Sequence, residues 1–237
     1  TEGDESMIQL QENLERVRAN GAAAAEKAGR DPRSVRLLAV SKTFPLSDIL
    51  EAHEAGQLEF GENRVQELET KVPNGTSDII WHLIGHLQSN KAEKAVELAE
   101  YIHSVDSVKL LNKINAAAAK HGKIQKILLE VNVSGEESKF GLSGWDALRE
   151  TAEHALALSN IQLLGLMTMA PLDADAAVLH TTFGGLREFR DRLEREFSVA
   201  LPELSMGMSH DFPAAIAEGA TIVRVGTAIF GGRKYAV

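Results

Sequence analysis

Lys42 is the residue whose type and place most invite chemistry. It closes the run Leu38-Ala39-Val40-Ser41-Lys42, and an apolar surround disfavours the charged form of an amine. A lysine held that way is nucleophilic and can form a Schiff base with a carbonyl. The structural alternative is a rim lysine with its head in water. Gly226 and Thr227 follow Val223-Arg224-Val225, and Ser209 follows Leu204-Ser205-Met206-Gly207-Met208. Backbone that a ligand can approach closely, free N–H groups at the start of a turn and a hydroxyl suit a small anion such as phosphate. Glycines that only serve turns would leave no site. Arg224 interrupts an apolar run. Pointing inward it requires a partner, because an unpaired buried charge is very costly; pointing outward it can pair with a helix carboxylate. His82 and His86 stand four apart without the glutamate of a His-Glu-x-x-His motif. They read as partly buried structural histidines, and no metal is expected. Neither a P-loop pattern nor a Gly-x-Ser-x-Gly elbow occurs.

These residues lie at the ends of short apolar runs. The runs are Val35–Ser41, Leu58–Gly61, Ile79–Gly85, Tyr101–Val105, Ile124–Val133, Ile161–Met169, Leu204–Met208 and Thr221–Val225. Between them lie helical stripes: Leu46, Ile49, Leu50 and His53; Val108, Leu111, Asn115 and Ala118; and Leu179, Phe183, Leu186, Phe189, Leu193 and Phe197. Strands that alternate with helices imply βαβ units and a parallel sheet, and strands apolar on both faces are buried on both. About eight such units in 237 residues fit a single (β/α)8 TIM-type barrel, with an open doubly wound sheet as the competitor. Before the first strand, Asp4–Ala28 carries Leu10, Leu14, Val17, Gly21, Ala24 and Ala28 at helical spacing. Asp4 or Ser6 could cap this helix, and Gly29 is placed to end it. We expect one domain over residues 1–237, with residues 1–29 packed on the barrel as an additional N-terminal helix. In a barrel the site lies at the C-terminal strand ends, and phosphate is often held after strands seven and eight. That is where Lys42, Asn63, Ser209 and Gly226-Thr227 fall.

Composition narrows the class. With 44% hydrophobic and 25% charged residues the chain is globular. The absence of cysteine excludes disulfides, thiolate metal sites and cysteine nucleophiles, and suits a reducing compartment. A net charge of −9 argues against a nucleic-acid binder, although a local pocket can still hold a small anion. No apolar run approaches a membrane span, and Thr1–Glu5 does not read as a signal peptide. A cytoplasmic protein is expected. The charged face of the first helix (Glu12, Glu15, Arg16, Arg18) favours a monomer.

Taken in order, Ala39–Thr43, Phe60–Asn63, Trp81–Lys91, Ile102–Asp106, Val131–Val133 with Glu136–Lys139, Gly165–Thr168, Leu204–Ser209 and Val223–Gly231 resemble the pyridoxal phosphate homeostasis proteins, from about residue 8 to 233. The resemblance implies a barrel like the N-terminal domain of alanine racemase, binding pyridoxal 5′-phosphate (PLP). It implies that Lys42 forms the internal aldimine, that Ser209, Gly226 and Thr227 hold the phosphate, that Arg224 faces the pyridine nitrogen and that Asn63 lines the ring. An arginine there opposes the protonated ring, so carbanion chemistry is expected to be weak. No carboxylate is expected at that position. Related racemases add a tyrosine base from a further β domain, which this chain is not expected to carry; its tyrosines are Tyr101 and Tyr235. The implied function is a PLP buffer or carrier in vitamin B6 and amino-acid homeostasis, with apo PLP-dependent enzymes as recipients. The alternatives are a stand-alone amino-acid racemase and a phosphometabolite barrel enzyme in which Lys42 acts without cofactor.

Overall fold

The computed structural model describes residues 1–134 and 140–232. Eight parallel strands close into a barrel in sequential order. They are β1 (Arg36–Val40), β2 (Glu59–Glu62), β3 (Ile80–Leu83), β4 (Tyr101–Val105), β5 (Gln125–Glu130), β6 (Ile161–Met167), β7 (Glu203–Ser205) and β8 (Ile222–Val225). The first helix is α1 (Glu2–Lys27), and the helices between strands are α2 (Leu46–Glu54), α3 (Val65–Lys71), α4 (Ala92–Leu98), α5 (Val108–Lys120), α6 (Trp145–Leu156), α7 (Ala176–Phe197) and α8 (Phe212–Ala217). The short α9 (Thr227–Phe230) follows β8. The apolar stripes predicted for the second, fifth and seventh of these helices face the strands: Ile49, Leu111, Phe183, Leu186 and Leu193 are all buried. Closed topology excludes the open doubly wound sheet.

Several strands are shorter than the apolar runs suggest. The run Ile124–Val133 pairs only as far as Glu130, and Leu204–Met208 contributes only through Ser205. Beyond those points single backbone bonds still hold the chain to its neighbours, from the Met206 N–H to the Ile222 carbonyl at 3.1 Å, from the Arg224 N–H to the Gly207 carbonyl at 2.9 Å and from the Val131 N–H to the Met167 carbonyl at 2.9 Å. The first helix starts earlier than expected. Its N-cap is Thr1, whose hydroxyl donates to Asp4 at 2.8 Å, so neither Asp4 nor Ser6 is the cap. Gly29, at φ 71°, follows its end. Leu10, Leu14, Val17 and Ala25 bury its inner face, and Asn13 Nδ2 donates to the Ile229 carbonyl at 2.9 Å. That bond ties α1 to α9, the element that starts with Thr227.

The barrel lumen is partly polar. Leu38, Val40, Ile84 and Ile222 form a small apolar cluster separate from the main core. Glu59, His82, His103, Ser205 and Arg224 are linked by hydrogen bonds elsewhere in the lumen. A bulge in β6 helps arrange them. Ile127 pairs with Leu163 but Leu128 with Gly165, leaving Leu164 as the extra residue. A Cβ on Gly165 would stand 1.7 Å from the Glu203 carbonyl oxygen of β7. The close approach requires glycine, and the bulge lies three residues before Thr168, whose carbonyl accepts a hydrogen bond from Arg224. Gly165→Ala is therefore expected to destabilise the fold by on the order of 3 kcal/mol, read as a lowered urea midpoint. A midpoint equal to that of the parent would contradict this account of the β6–β7 contact.

Candidate functional site

β1 and β8 are hydrogen-bonded neighbours, with Leu38 opposite Arg224 and Ala39 opposite Val225. The segments that follow them, Ser41-Lys42 and Gly226-Thr227, therefore emerge side by side at the C-terminal mouth. Lys42 is half-buried in the turn after β1. Its backbone is gripped from both sides by α3. Lys71 Nζ donates to the Ser41 carbonyl at 3.0 Å, and Glu67 Oε2 accepts the Thr43 N–H at 2.8 Å. Lys71 also meets Glu62 at 2.8 Å and Glu67 at 2.9 Å, while the Ser41 hydroxyl donates to Glu62 at 2.7 Å. Burial pushes the Glu62 carboxyl up to about 7 against the pull of Lys71. Thr43 is held at φ 68°, a left-handed conformation that β-branched residues rarely adopt. Strain of that kind persists only where the surroundings over-determine it, and here the two grips on the flanking peptide groups do so.

On the other side of the β1–β8 seam, the Ala228 N–H points to Ser209 Oγ at 3.5 Å, bringing the loops after β7 and β8 together. Thr227 is exposed and Gly226 half-buried. A Cβ on Gly226 would lie 3.2 Å from the Val40 carbonyl oxygen, so backbone and not side chain faces the end of β1 there. The Ser209 loop is pinned by Asp211, buried, which accepts the Met208 N–H at 2.6 Å. Phe44, in the segment after Lys42, stacks on Phe230 of α9 with ring centroids 5.0 Å apart. Asn63 lies just past β2, and its carbonyl is 2.1 Å from where a Cβ on Gly85 would sit. That contact fixes the segment after β2 against the one after β3.

Arg224 points inward. It is 3% exposed and donates to Ser205 Oγ at 2.7 Å and to the Thr168 carbonyl at 2.9 Å. Burial lowers its pKa to about 10, opposed by the charges of Glu130 and Asp211, so it remains a cation near neutrality. The inward placement thus meets the requirement for a partner that the sequence set, with Glu130 and Asp211 supplying opposite charge. Glu130, at the end of β5, is the site residue that sequence reading missed. Its carboxyl is pushed up to about 7 by burial and by Asp106, against the pull of Arg224.

The remaining candidates separate. His82 is fully buried in the lumen, whereas His86 is exposed and stacks on Phe140 at 3.8 Å, so the two are not equivalent partly buried residues. Among the described residues no group of three potential metal ligands occurs. Tyr101 opens β4 at the opposite end of the barrel from Lys42, where it stacks on His82 at 4.4 Å. Tyr235 and the segment Glu136–Lys139 lie outside the described residues.

Comparison with known proteins agrees with this geometry. The family model "Alanine racemase, N-terminal domain" matches residues 13–234. The chain is 46% identical over 225 residues to the pyridoxal phosphate homeostasis protein of Aquifex aeolicus, covering 94% of this chain and 98% of that one. This chain belongs to the pyridoxal phosphate homeostasis protein family. A solved homologue, PipY of Synechococcus elongatus PCC7942 with PLP bound, is 42% identical and superposes with a TM-score of 0.84 over 94% of this chain and all of that one. The alanine racemase of Clostridium difficile 630, at 16% identity and TM-score 0.74, covers 94% of this chain but is itself covered to 56%, and shows the shared barrel alone. In this homeostasis-family barrel no described helix is long and apolar enough to cross a membrane.

The Glu130 environment yields a pH prediction. The folded protein keeps this proton to about pH 7, whereas the ordinary carboxyl loses it near 4.5. Between those values the folded state binds more protons than the unfolded one, so stability falls as pH rises through that window. Glu130→Gln is permanently neutral and removes that contribution. Its stability relative to the parent is expected to rise between pH 4.5 and 7, by up to roughly 3 kcal/mol, in urea melts at a series of pH values. Parallel profiles for parent and variant would contradict the assignment.

Proposed function

We propose that this protein binds PLP through Lys42, Asn63, Ser209, Arg224, Gly226 and Thr227, and buffers or carries it without efficient catalysis. The observation that carries the reading is the convergence of an amine, an anion cradle and a buried arginine on the ends of two paired strands. The donor set fits the group. Ser209, Thr227 and the bare backbone at Gly226 suit a phosphate, and Arg224 suits the aromatic nitrogen, an acceptor. Bound PLP supplies an aldehyde and an electron-accepting ring. Lys42 would hold the group through that aldehyde, its amine being the nucleophile the site offers. A bond of that kind would be reversible by water or another amine, which is what a carrier requires, and apo PLP-dependent enzymes are the recipients this reading implies. Arg224 has no proton-accepting atom and opposes a positive charge on the ring nitrogen, so proton removal from a bound amino acid gains little from the ring. The exposed charged face of α1 supports a monomer, and the lack of cysteine supports a reducing, cytoplasmic setting.

Two measurements test this. Borohydride reduction of the PLP-loaded protein should fix the pyridoxyl group on Lys42, and Lys42→Ala should stay folded but lose that mass and the associated absorbance. Label on a different lysine would overturn the assignment. Charge-assisted hydrogen bonds contribute about 1.5–3 kcal/mol each, so Thr227→Val should weaken PLP binding roughly tenfold or more. Pyridoxal, lacking the phosphate, should bind far less tightly than PLP; equal affinities would refute the cradle.

The lack of efficient catalysis is tested separately. Incubation of loaded protein with L-alanine and L-serine should give no racemisation, keto acid or carbon dioxide at rates approaching about 1 s⁻¹. Turnover in that range, abolished by Lys42→Ala, would establish the racemase reading instead.

A further inference from the structure

A line of polar side chains crosses the lumen from the cofactor mouth toward the opposite end. Arg224 Nη1 meets Ser205 Oγ at 2.7 Å, Ser205 Oγ meets His103 Nδ1 at 2.9 Å, His103 Nε2 meets His82 Nδ1 at 2.8 Å, and His82 Nε2 meets Glu59 Oε1 at 3.0 Å. β4 and β7, which carry His103 and Ser205, are separated in the sheet by β5 and β6, so their contact spans the barrel interior. Both histidines and Ser205 are fully buried.

The two ends give this line one direction. A guanidinium can only donate and an ionised carboxylate can only accept, so Ser205 Oγ accepts from Arg224, and with both rings neutral the order set from Glu59 sends the Ser205 proton to His103 Nδ1. His103 Nδ1 is then bare, and the neutral ring carries its proton on Nε2, donated to His82 Nδ1. His82 in turn carries its proton on Nε2 and donates it to Glu59, a pure acceptor when ionised. With both rings neutral and Glu59 ionised, every link is satisfied only in this sense. We propose that Ser205, His103 and His82 are positioning residues for Arg224. They form a one-way hydrogen-bond column that fixes both imidazoles as neutral Nε2–H tautomers and locks the guanidinium with its remaining donors toward the mouth. This rests on the reading that Arg224 faces the cofactor ring.

The charges around the column are consistent with it. Arg36 stands 3.3 Å from Glu59 and 3.2 Å from Glu203, which holds the far end anionic. Tyr101 stacks on His82, with Arg36 and Lys126 against its ring. At the near end Glu130 and Asp211 face Arg224 electrostatically. Burial, then the neighbouring His82, Arg224 and Arg36, keep His103 well below the ordinary imidazole range; burial lowers His82 despite Glu59, with Arg36 opposing and Glu100 favouring its charge. A proton could pass along the column only if Arg224 released one. The column therefore orients Arg224 and supplies no acid beneath the ring.

Nitrogen-15 NMR of the histidine-labelled protein without cofactor tests the direction itself. His82 and His103, assigned by single-histidine variants, should each show one Nε2–H tautomer that does not titrate between about pH 5 and 8. An Nδ1–H tautomer or an imidazolium on either ring overturns the proposal. Positioning is tested by PLP titration of His103→Gln, which keeps one acceptor and one donor, against His103→Leu, which keeps neither. Leu should weaken PLP binding about tenfold and shift the bound absorbance, with Gln restoring most of both. Equal binding and spectra for the parent and both variants would remove the positioning role. Should the leucine variant not fold, Ser205→Ala against Ser205→Thr makes the same comparison. Failure of the parent to bind PLP would refute the functional reading while leaving the tautomer result standing.

Discussion

A guanidinium buried within a barrel lumen is the constraint to which much of this structure answers. Removing such a charge from water costs several kcal/mol even after relaxation, and only hydrogen bonds and opposite charge can offset that. Arg224 obtains them from the Thr168 carbonyl, the Ser205 hydroxyl and the fields of Glu130 and Asp211. Each supplier has its own support. Thr168 follows the β6 bulge that Gly165 permits, and Ser205 is paired through to His103. Arg224 also recruits the lumen for polar side chains, where other barrels of this type stack branched aliphatic residues in layers.

The second organising feature is the grip on the Lys42 turn. Lys71 and Glu67 hold the peptide groups before and after Lys42, and the buried Glu62 holds Lys71 and the Ser41 hydroxyl. Lys42 thus stands between two held peptide groups, followed by Thr43 in the left-handed region. Across the β1–β8 seam the arginine, equally immobile, faces the same mouth. On the proposed reading, one end of the site forms a reversible bond and the other opposes charge on the ring. That combination suits retention and release better than sustained proton transfer.

Much of this was legible from the chain. Lys42, Asn63, Ser209 and Gly226-Thr227 stand at the ends of apolar runs, and in a parallel barrel those ends meet at one mouth. What sequence could not supply were contacts that depend on closure. His103 and Ser205 are 102 residues apart and meet only because the sheet curls on itself. Lys71 reaches the Ser41 carbonyl only once α3 is laid against the turn after β1. Glu130 sits inside the run Ile124–Val133, and nothing in that pattern says that its carboxyl acts on Arg224 of β8. The direction of Arg224 was ambiguous for a related reason: inward and outward placements share one pattern, and only a partner across the lumen decides between them.

On the proposed reading the cofactor ring meets a donor that is charged near neutrality, and no acid. The most direct measurement is the nitrogen-15 shift of PLP labelled at its ring nitrogen and bound to the full chain. The account predicts the shift of an unprotonated, hydrogen-bonded pyridine, unchanged across the neutral pH range and altered by Arg224→Gln. A pyridinium shift in the parent protein would contradict it.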